Sequence, residues 1–334
     1  MIRIAVVGLG WWGKQIATCL SGSSRFQVVA AHDRDAATAA AFAQQNPTVA
    51  LEASFDALLA RPDVEAVAIV TPHSLHEQQV LAAVAAGKQV FCEKPLSLSA
   101  ASADRMLAAC ARAGRVMGIG HERRYEPALE EVRRLTAGGS LGRLMHLDAN
   151  VSHDIFRALP AGNWRLSREN APAGAMTALG IHLDDMFVSL AGKPARVAAR
   201  TARHVFPAPA DDYVAVDIDF ASGVSGRITC LSATPFYGRF TVYGDSGWVE
   251  VQEGGNVDKG LPSILTHTPS TAGERHVARY EPANTVLANF EAWADAVEGR
   301  AAYRFTPEQL LANVQILEAV IRSAESGGTP VAIT

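Results

Sequence analysis

Along the first half of the chain, short apolar runs rich in β-branched residues alternate with longer alanine- and leucine-rich stretches of helical spacing. The run at 4–7 has no polar alternation, the pattern of a strand buried on both faces. Similar runs at 26–31, 66–70, 89–92 and 116–119 predict further strands. Helices are predicted between them at 14–20, 36–45, 55–60, 75–86 and 100–113, with Gly87 and Gly114 placed as C-caps. This alternation predicts an α/β domain with a doubly wound parallel sheet. Right-handed crossovers bring every strand's carboxyl end to one edge.

The pattern changes near residue 121. A helix at 127–135 and a Gly138-Gly139 break lead to a strand at 144–151, an irregular stretch to 172 and a helix at 180–190. Strand-like runs then fill 196–251, separated by turns such as Ser222-Gly223 and Asp245-Ser246-Gly247, before a last helix at 307–323 and an extended tail. Successive strands without intervening helices predict a large, open, mainly antiparallel sheet in an α+β domain. Val214, Val216, Ile218 and Phe220 alternate with polar residues, as a sheet with two distinct faces requires. The expected division is 1–122 and 123–334, which suits a chain of 334 residues.

The first strand breaks at Gly8, and Gly10 and Gly13 follow at dinucleotide-fingerprint spacing. Gly8 permits the tight turn, Gly10 lets backbone N–H groups approach a pyrophosphate, and Gly13 lets the next helix pack close to the strand. Asp33 ends the second strand 20 residues past Gly13, where a carboxylate meets an adenosine ribose (33 − 13). NAD is therefore the expected cofactor, with NADP as the alternative. Arg34 is placed to stack on adenine or meet a 2′-phosphate, which Asp33 disfavours by like charge. Trp11 and Trp12 are expected along the cofactor, one of them in helix–sheet packing instead. Thr71-Pro72, His76 and Glu93-Lys94-Pro95 fall at the carboxyl ends of the next strands and open toward the same cofactor.

Composition narrows the class. A hydrophobic fraction of 49% with 19% charged residues describes a folded globular protein. The net charge of −4, with no basic stripe, argues against a nucleic-acid partner. Four cysteines lie far apart without a CxxC pair, so neither a disulfide framework nor a zinc site is expected. His182 with Asp184 or Asp185 lacks a third nearby ligand, and no metal is expected. With no leader-like segment and no apolar run long enough to span a bilayer, the expectation is a cytoplasmic protein without a membrane partner.

Taken together, these residues resemble the glucose–fructose oxidoreductase / inositol dehydrogenase / rhizopine-catabolism (Gfo/Idh/MocA) family over nearly the whole chain. The most specific motif is Glu93-Lys94-Pro95. It is supported by the glycine fingerprint, Thr71-Pro72 with His76, Arg123-Arg124, Trp164-Arg165 and Gly180-Ile-His182-Leu-Asp-Asp185. The resemblance implies a nicotinamide-dependent oxidoreductase acting on a small polyhydroxylated or cyclic alcohol. It also implies a homodimer or homotetramer that pairs through one sheet face. Two positions depart from the family's pattern: Ala178 replaces an aspartate four residues before His182, and His73 replaces an asparagine. The first departure puts the usual sugar or cyclitol substrate in question.

On this resemblance Lys94 hydrogen-bonds a substrate hydroxyl and stabilises the alkoxide that develops as hydride departs. His182 exchanges the substrate proton, since imidazole titrates near the working pH. Asp185, three residues on along the same helical face, is the expected orienting group for that ring. Arg123, Arg124, Tyr125, Trp164 and Arg165 are candidates for binding a carboxylate or hydroxyl of the substrate. The alternatives are a dehydrogenase of an aromatic-acid lactol or dihydrodiol, an NAD-dependent glycosidase without net redox, and a nucleotide-sensing regulator.

Overall fold

The unalternated run at the start of the chain becomes β1 (Ile2–Val7), flanked on both sides by parallel neighbours. The computed structural model describes residues 1–160, 162–206, 210–269 and 273–333. After β1 come α1 (Trp11–Ser21), β2 (Phe26–His32), α2 (Ala36–Gln45), β3 (Ala50–Leu51), α3 (Phe55–Ala60), β4 (Ala66–Ile69), α4 (His76–Ala85), β5 (Gln89–Cys92), α5 (Ala100–Arg112) and β6 (Met117–Ile119). The six strands form one parallel sheet in the order β3-β2-β1-β4-β5-β6. That order reverses between β1 and β4, so the loops after these strands diverge and leave a crevice at their carboxyl ends. Ile4, Val6, Ala66 and Ala68 are wholly buried, which is why the run needed no polar alternation.

The chain continues through α6 (Pro127–Ala137), β7 (Leu144–Ser152), α7 (Ile181–Ala191), β8 (Pro194–Ala202), β9 (Tyr213–Phe220), β10 (Ser225–Leu231), β11 (Tyr237–Gly244), β12 (Trp248–Glu253), β13 (Ser263–Thr268), β14 (His276–Tyr280), α8 (Thr285–Val297), α9 (Pro307–Glu325) and β15 (Val331–Ala332). Nine of these strands make a second sheet, β14-β13-β12-β11-β7-β10-β9-β8-β15, antiparallel except where β10 meets β7. Along β9 the expected alternation sends Val214, Val216, Ile218 and Phe220 into the core. On the other face Asp217 meets Arg227 at 3.3 Å and Asp219 meets Arg196 at 2.6 Å, both across neighbouring strands. Exposed cross-strand pairs of this kind contribute about 0.2–1 kcal/mol each. They set register more than they stabilise.

Two compact units result: 1–122 with 284–307, and 123–283 with 308–334. This corrects the expectation that 123–334 forms one continuous domain, because α8 belongs to the first unit. The helix was not anticipated, although Val286, Phe290, Trp293, Ala294 and Val297 carry helical spacing behind an Asn284 N-cap. Phe290 stacks on Phe91 with ring centroids 3.7 Å apart, and Trp293 meets the same ring edge-on. Trp293 Nε1 donates to the Val116 carbonyl at 3.0 Å, and Asn289 Nδ2 donates to that of Ile119 at 2.7 Å. Such fully buried rings cost about 3–5 kcal/mol to truncate, enough to hold α8 against the β5–β6 side of the sheet.

The strands β13 and β14 also lie beyond the predicted strand region and extend the second sheet at one edge. Helix α1 starts at Trp11, three residues before the predicted start. Gly8, at φ +90°, turns the chain, and Gly10 is already the N-cap.

Candidate functional site

The glycine loop divides its labour as the spacing implies. A Cβ on Gly8 would lie 2.6 Å from the Val70 carbonyl oxygen, and one on Gly13 would collide with the Gly8 carbonyl. Both glycines are therefore demanded by the protein's own packing. Gly10 is different: a Cβ there meets nothing within 4 Å, and the residue is exposed. Directly behind it α1 begins with no side-chain cap. The first turn of a helix offers backbone N–H groups and the positive end of its dipole, which suits a phosphate. This is open space where a ligand's pyrophosphate would fit.

Asp33 is fixed at that loop. Its Oδ2 accepts from Leu9 N at 2.6 Å and its Oδ1 from Asp35 N at 2.9 Å. Each oxygen keeps lone pairs for further donors, and the carboxylate's orientation is set before any ligand arrives. Arg34 beside it is exposed. The two tryptophans separate: Trp12 packs against the hydrophobic core, whereas Trp11 is 58% exposed with its ring centroid 5.3 Å from that of Trp12. Packing thus falls to Trp12, while Trp11 leaves its ring open to solvent beside the glycine loop.

Further along the same sheet edge, Thr71 and Pro72 follow β4, and Glu93 and Lys94 follow β5. Glu93 is buried, with its carboxylate over Gly120 where a side chain would otherwise stand. Its Oε2 accepts from Lys94 N at 3.2 Å. Lys94 is half-buried, and its peptide bond to Pro95 is cis. His76, expected to contact the cofactor, instead lies wholly inside. Nε2 is 3.0 Å from the Thr71 carbonyl and Nδ1 is 3.0 Å from that of Pro95. A ring ringed by backbone acceptors at the base of the crevice holds loops together; that replaces the cofactor role.

In the second unit, His182 opens α7 immediately after a π-helical turn, Met176–Gly180, which contains Ala178. Single π turns recur at functional sites because they shift side chains around the helix axis. His182 is buried, 6% exposed. The expected pairing of His182 with Asp185 gives way to a different one. Asp185 accepts from Arg124 Nε at 2.7 Å and Arg124 Nη2 at 2.6 Å, a bidentate fork. Arg124 Nη1 also donates to Gln309 at 2.8 Å, and both ions are nearly fully buried. This corrects the expectation that Arg124 binds substrate and Asp185 orients the imidazole: the pair braces the fold, and removing either partner would strand a buried charge. Arg123 is likewise enclosed by Glu126 and Glu253. Trp164 and Arg165 remain partly exposed, the guanidinium 4.2 Å over the indole ring.

Asp184 is fully buried; its Oδ1 accepts from Asn313 Nδ2 at 2.6 Å, while its Oδ2 has no hydrogen-bond partner among the described residues. Burial, and then the charge of Asp185, push its pKa well above the carboxylate range, toward the neutral acid. An acid with a raised folded pKa keeps its proton longer folded than unfolded. The folded state is therefore penalised as pH climbs past about 4, where the unfolded carboxyl ionises. Asp184→Asn abolishes the titration, so its stability relative to the parent should improve steadily from that pH toward neutrality. Urea titrations giving a pH-independent difference would exclude a buried acid of this kind.

Asn313, which also donates to the Ile181 carbonyl at 3.0 Å, was not singled out from sequence. The signal was there: it is a polar residue on the stripe of Leu310, Val314 and Leu317. Among the described residues no group of three His, Cys, Asp or Glu side chains is arranged to hold a metal, and no helix is long and apolar enough to cross a membrane.

Residues 2–121 match the family model described as "Oxidoreductase family, NAD-binding Rossmann fold", and residues 129–250 match the GFO/IDH/MocA C-terminal domain. The chain is 30% identical over 304 residues to 1,5-anhydro-D-fructose reductase of Ensifer adhaerens, covering 90% of each. It is 30% identical over 256 residues to trans-1,2-dihydrobenzene-1,2-diol dehydrogenase of Mus musculus, covering 75% of each. Among solved structures it superimposes on GenD2 from gentamicin A biosynthesis in complex with NAD. There the TM-score is 0.84 and the identity 26%, over all of this chain and 96% of that one.

Proposed function

The chain belongs to the GFO/IDH/MocA family of NAD-binding oxidoreductases, and on that premise we propose that it moves hydride between a nicotinamide and a secondary hydroxyl of a small sugar, cyclitol or sugar derivative. The observation that carries this reading is the crevice edge of the first unit. An open approach over Gly10, a pre-set Asp33 and Lys94 share one edge of one sheet. Gly8, Gly10 and Gly13 with the start of α1 would hold the pyrophosphate, Asp33 the adenosine ribose, and Trp11 and Thr71-Pro72 the flanks. When bound, NAD supplies the hydride acceptor. Lys94 then stabilises negative charge on the substrate oxygen, a charge strongest in the transition state. His182 takes the hydroxyl proton in the oxidative direction and returns it in the reductive one.

A dihydrodiol substrate is the second reading, favoured by the mouse relative. A panel of sugars, cyclitols, anhydro-sugars and trans-dihydrodiols, run with both cofactors, tests the class. Steady accumulation of reduced nicotinamide with a polyhydroxylated or cyclic secondary alcohol is the expected outcome. Cleavage of a glycosidic bond without such accumulation would replace the reading by NAD-dependent hydrolysis.

Asp33 favours NAD, because its carboxylate accepts from ribose hydroxyls and repels a 2′-phosphate. Asp33→Ser should narrow or invert the preference in calorimetric titrations, and a parent protein preferring NADP tenfold would overturn the assignment. We also propose assembly into a homodimer or homotetramer through the outer face of the nine-stranded sheet, whose rows of cross-strand ion pairs can be shared with a second copy. Light scattering should give a multiple of 35.4 kDa; the single-chain mass at micromolar concentration would contradict it. Four free cysteines, three of them buried, suit a reducing, cytoplasmic compartment.

A further inference from the structure

Three backbone carbonyls at the carboxyl edge of the parallel sheet converge on a side chain that takes no part in the chemistry above. The His76 ring is fully buried, with Nε2 3.0 Å from Thr71 O, and Nδ1 3.0 Å from Pro95 O and 3.3 Å from Leu96 O. Thr71 lies just past β4, and Pro95 and Leu96 just past β5. One imidazole thus spans two adjacent strand-end loops, and Lys94 is the residue immediately before the bridged carbonyls. Helix α4 adds a second tie on the same face: Thr71 Oγ1 donates to Gln79 Oε1 at 2.5 Å, three residues along.

The sheet itself holds this turn only up to its start. Glu93 N still donates to Ile69 O at 2.9 Å, and Gly120 N to Cys92 O at 3.0 Å. Beyond them Pro95 has no N–H to give. Burial lowers the pKa of His76, and the helix N-terminus beside it also disfavours positive charge. The neutral ring carries one N–H for acceptors on two sides, so it is a directional link and not a symmetrical clamp.

We propose that His76 is a positioning residue for Lys94: its buried ring, seated between the β4 and β5 loops with its one N–H given to one of them, fixes the backbone from which the lysine's ammonium reaches the reacting oxygen. The lysine stem is long and flexible, so the direction of its head depends on where its Cα is held. The proposal rests on the reading of Lys94 given under Proposed function.

The first test needs neither substrate nor cofactor. Cofactor-free parent, His76→Leu and His76→Gln proteins are acetylated with a limiting amount of acetic anhydride. Labelling of Lys94 is then quantified by mass spectrometry against the exposed Lys193 and Lys259. If His76 sets the surroundings of Lys94, its relative labelling should change about three- to tenfold in His76→Leu, equivalent to as much as about one pKa unit. His76→Gln, which keeps an N–H donor at the position, should recover much of the parent value. His76→Ala, which removes the ring without adding a branched side chain, carries the comparison if the leucine variant does not fold. A ratio within twofold of the parent in folded His76→Leu, or in His76→Ala, overturns the proposal.

The second test uses the best alcohol of the panel. His76→Leu should slow hydride transfer when Lys94 is present but change it by less than about twofold in a Lys94→Met background, since the effect passes through the lysine, and His76→Gln should restore much of the rate. An equal slowing in both backgrounds would make His76 merely structural. Should Lys94→Met leave turnover intact, the reading of Lys94 fails, while the labelling ratio still decides whether His76 positions it.

Discussion

Lys94→Met is expected to lower turnover by roughly a hundredfold or more while leaving NAD affinity within a few-fold of the parent. The substitution keeps much of the stem's bulk and removes the donor. What is lost is a charge-assisted hydrogen bond that strengthens as negative charge builds on the substrate oxygen. Affinity for NAD should hold because the determinants proposed for it, the glycine loop and Asp33, are separate from the lysine. His182→Ala should also slow turnover. The double variant should lose less than the product of the two effects, since two groups serving one proton and charge transfer act as a unit. Single-turnover rates and cofactor titrations of the four proteins decide the matter. A Lys94→Met protein that keeps its rate within a few-fold would remove the lysine from the mechanism.

The second large effect separates the glycines that serve the fold from the one that serves the ligand. Gly13→Ala drives a methyl group into the Gly8 carbonyl, and Gly8→Ala presses on Val70 O at 2.6 Å from a backbone at φ +90°. Both should destabilise the protein by about 1–3 kcal/mol or more, and NAD binding should fail with the loop geometry. Gly10→Ala meets nothing of the protein itself within 4 Å. Its thermal stability should match the parent, yet NAD should bind about tenfold more weakly or worse, because the methyl group stands where the pyrophosphate approaches. Calorimetry with and without NAD measures both quantities. A Gly10→Ala protein of parental stability and parental NAD affinity would show that the loop does not cradle a phosphate.

How far the sequence reached depended on the range of each interaction. The fingerprint is local: Gly8, Gly10 and Gly13 lie within six residues, and their geometry follows from one turn into one helix. The parallel sheet was legible because its central strands β1 and β4 are almost wholly buried and say so in their composition, whereas β3, a half-exposed edge of two residues, left no such signal. Helix α8 was not, although its spacing was readable. Its partners Phe91 and Val116 lie far back in the chain, and periodicity names a buried face without naming what covers it. The site shows the same limit. Arg124 and Asp185 are 61 residues apart, and an arginine's type does not tell a substrate clamp from a buried brace. His76 at a helix start read as a cofactor contact. Only the strand order β1-β4-β5 brings the Thr71 and Pro95 carbonyls to its two nitrogens. Asp33 was readable by distance from the glycines, but its hold on Leu9 N was not.

The claim of hydride transfer is tested most directly by isotopic label. The best alcohol of the panel, deuterated at the carbinol carbon, is mixed with NAD and excess enzyme for a single turnover, and the nicotinamide is analysed by mass spectrometry. The account predicts one deuterium on the reduced nicotinamide for each ketone formed, and a rate slower than with the protiated alcohol. Consumption of the alcohol with no deuterium reaching the nicotinamide would contradict it.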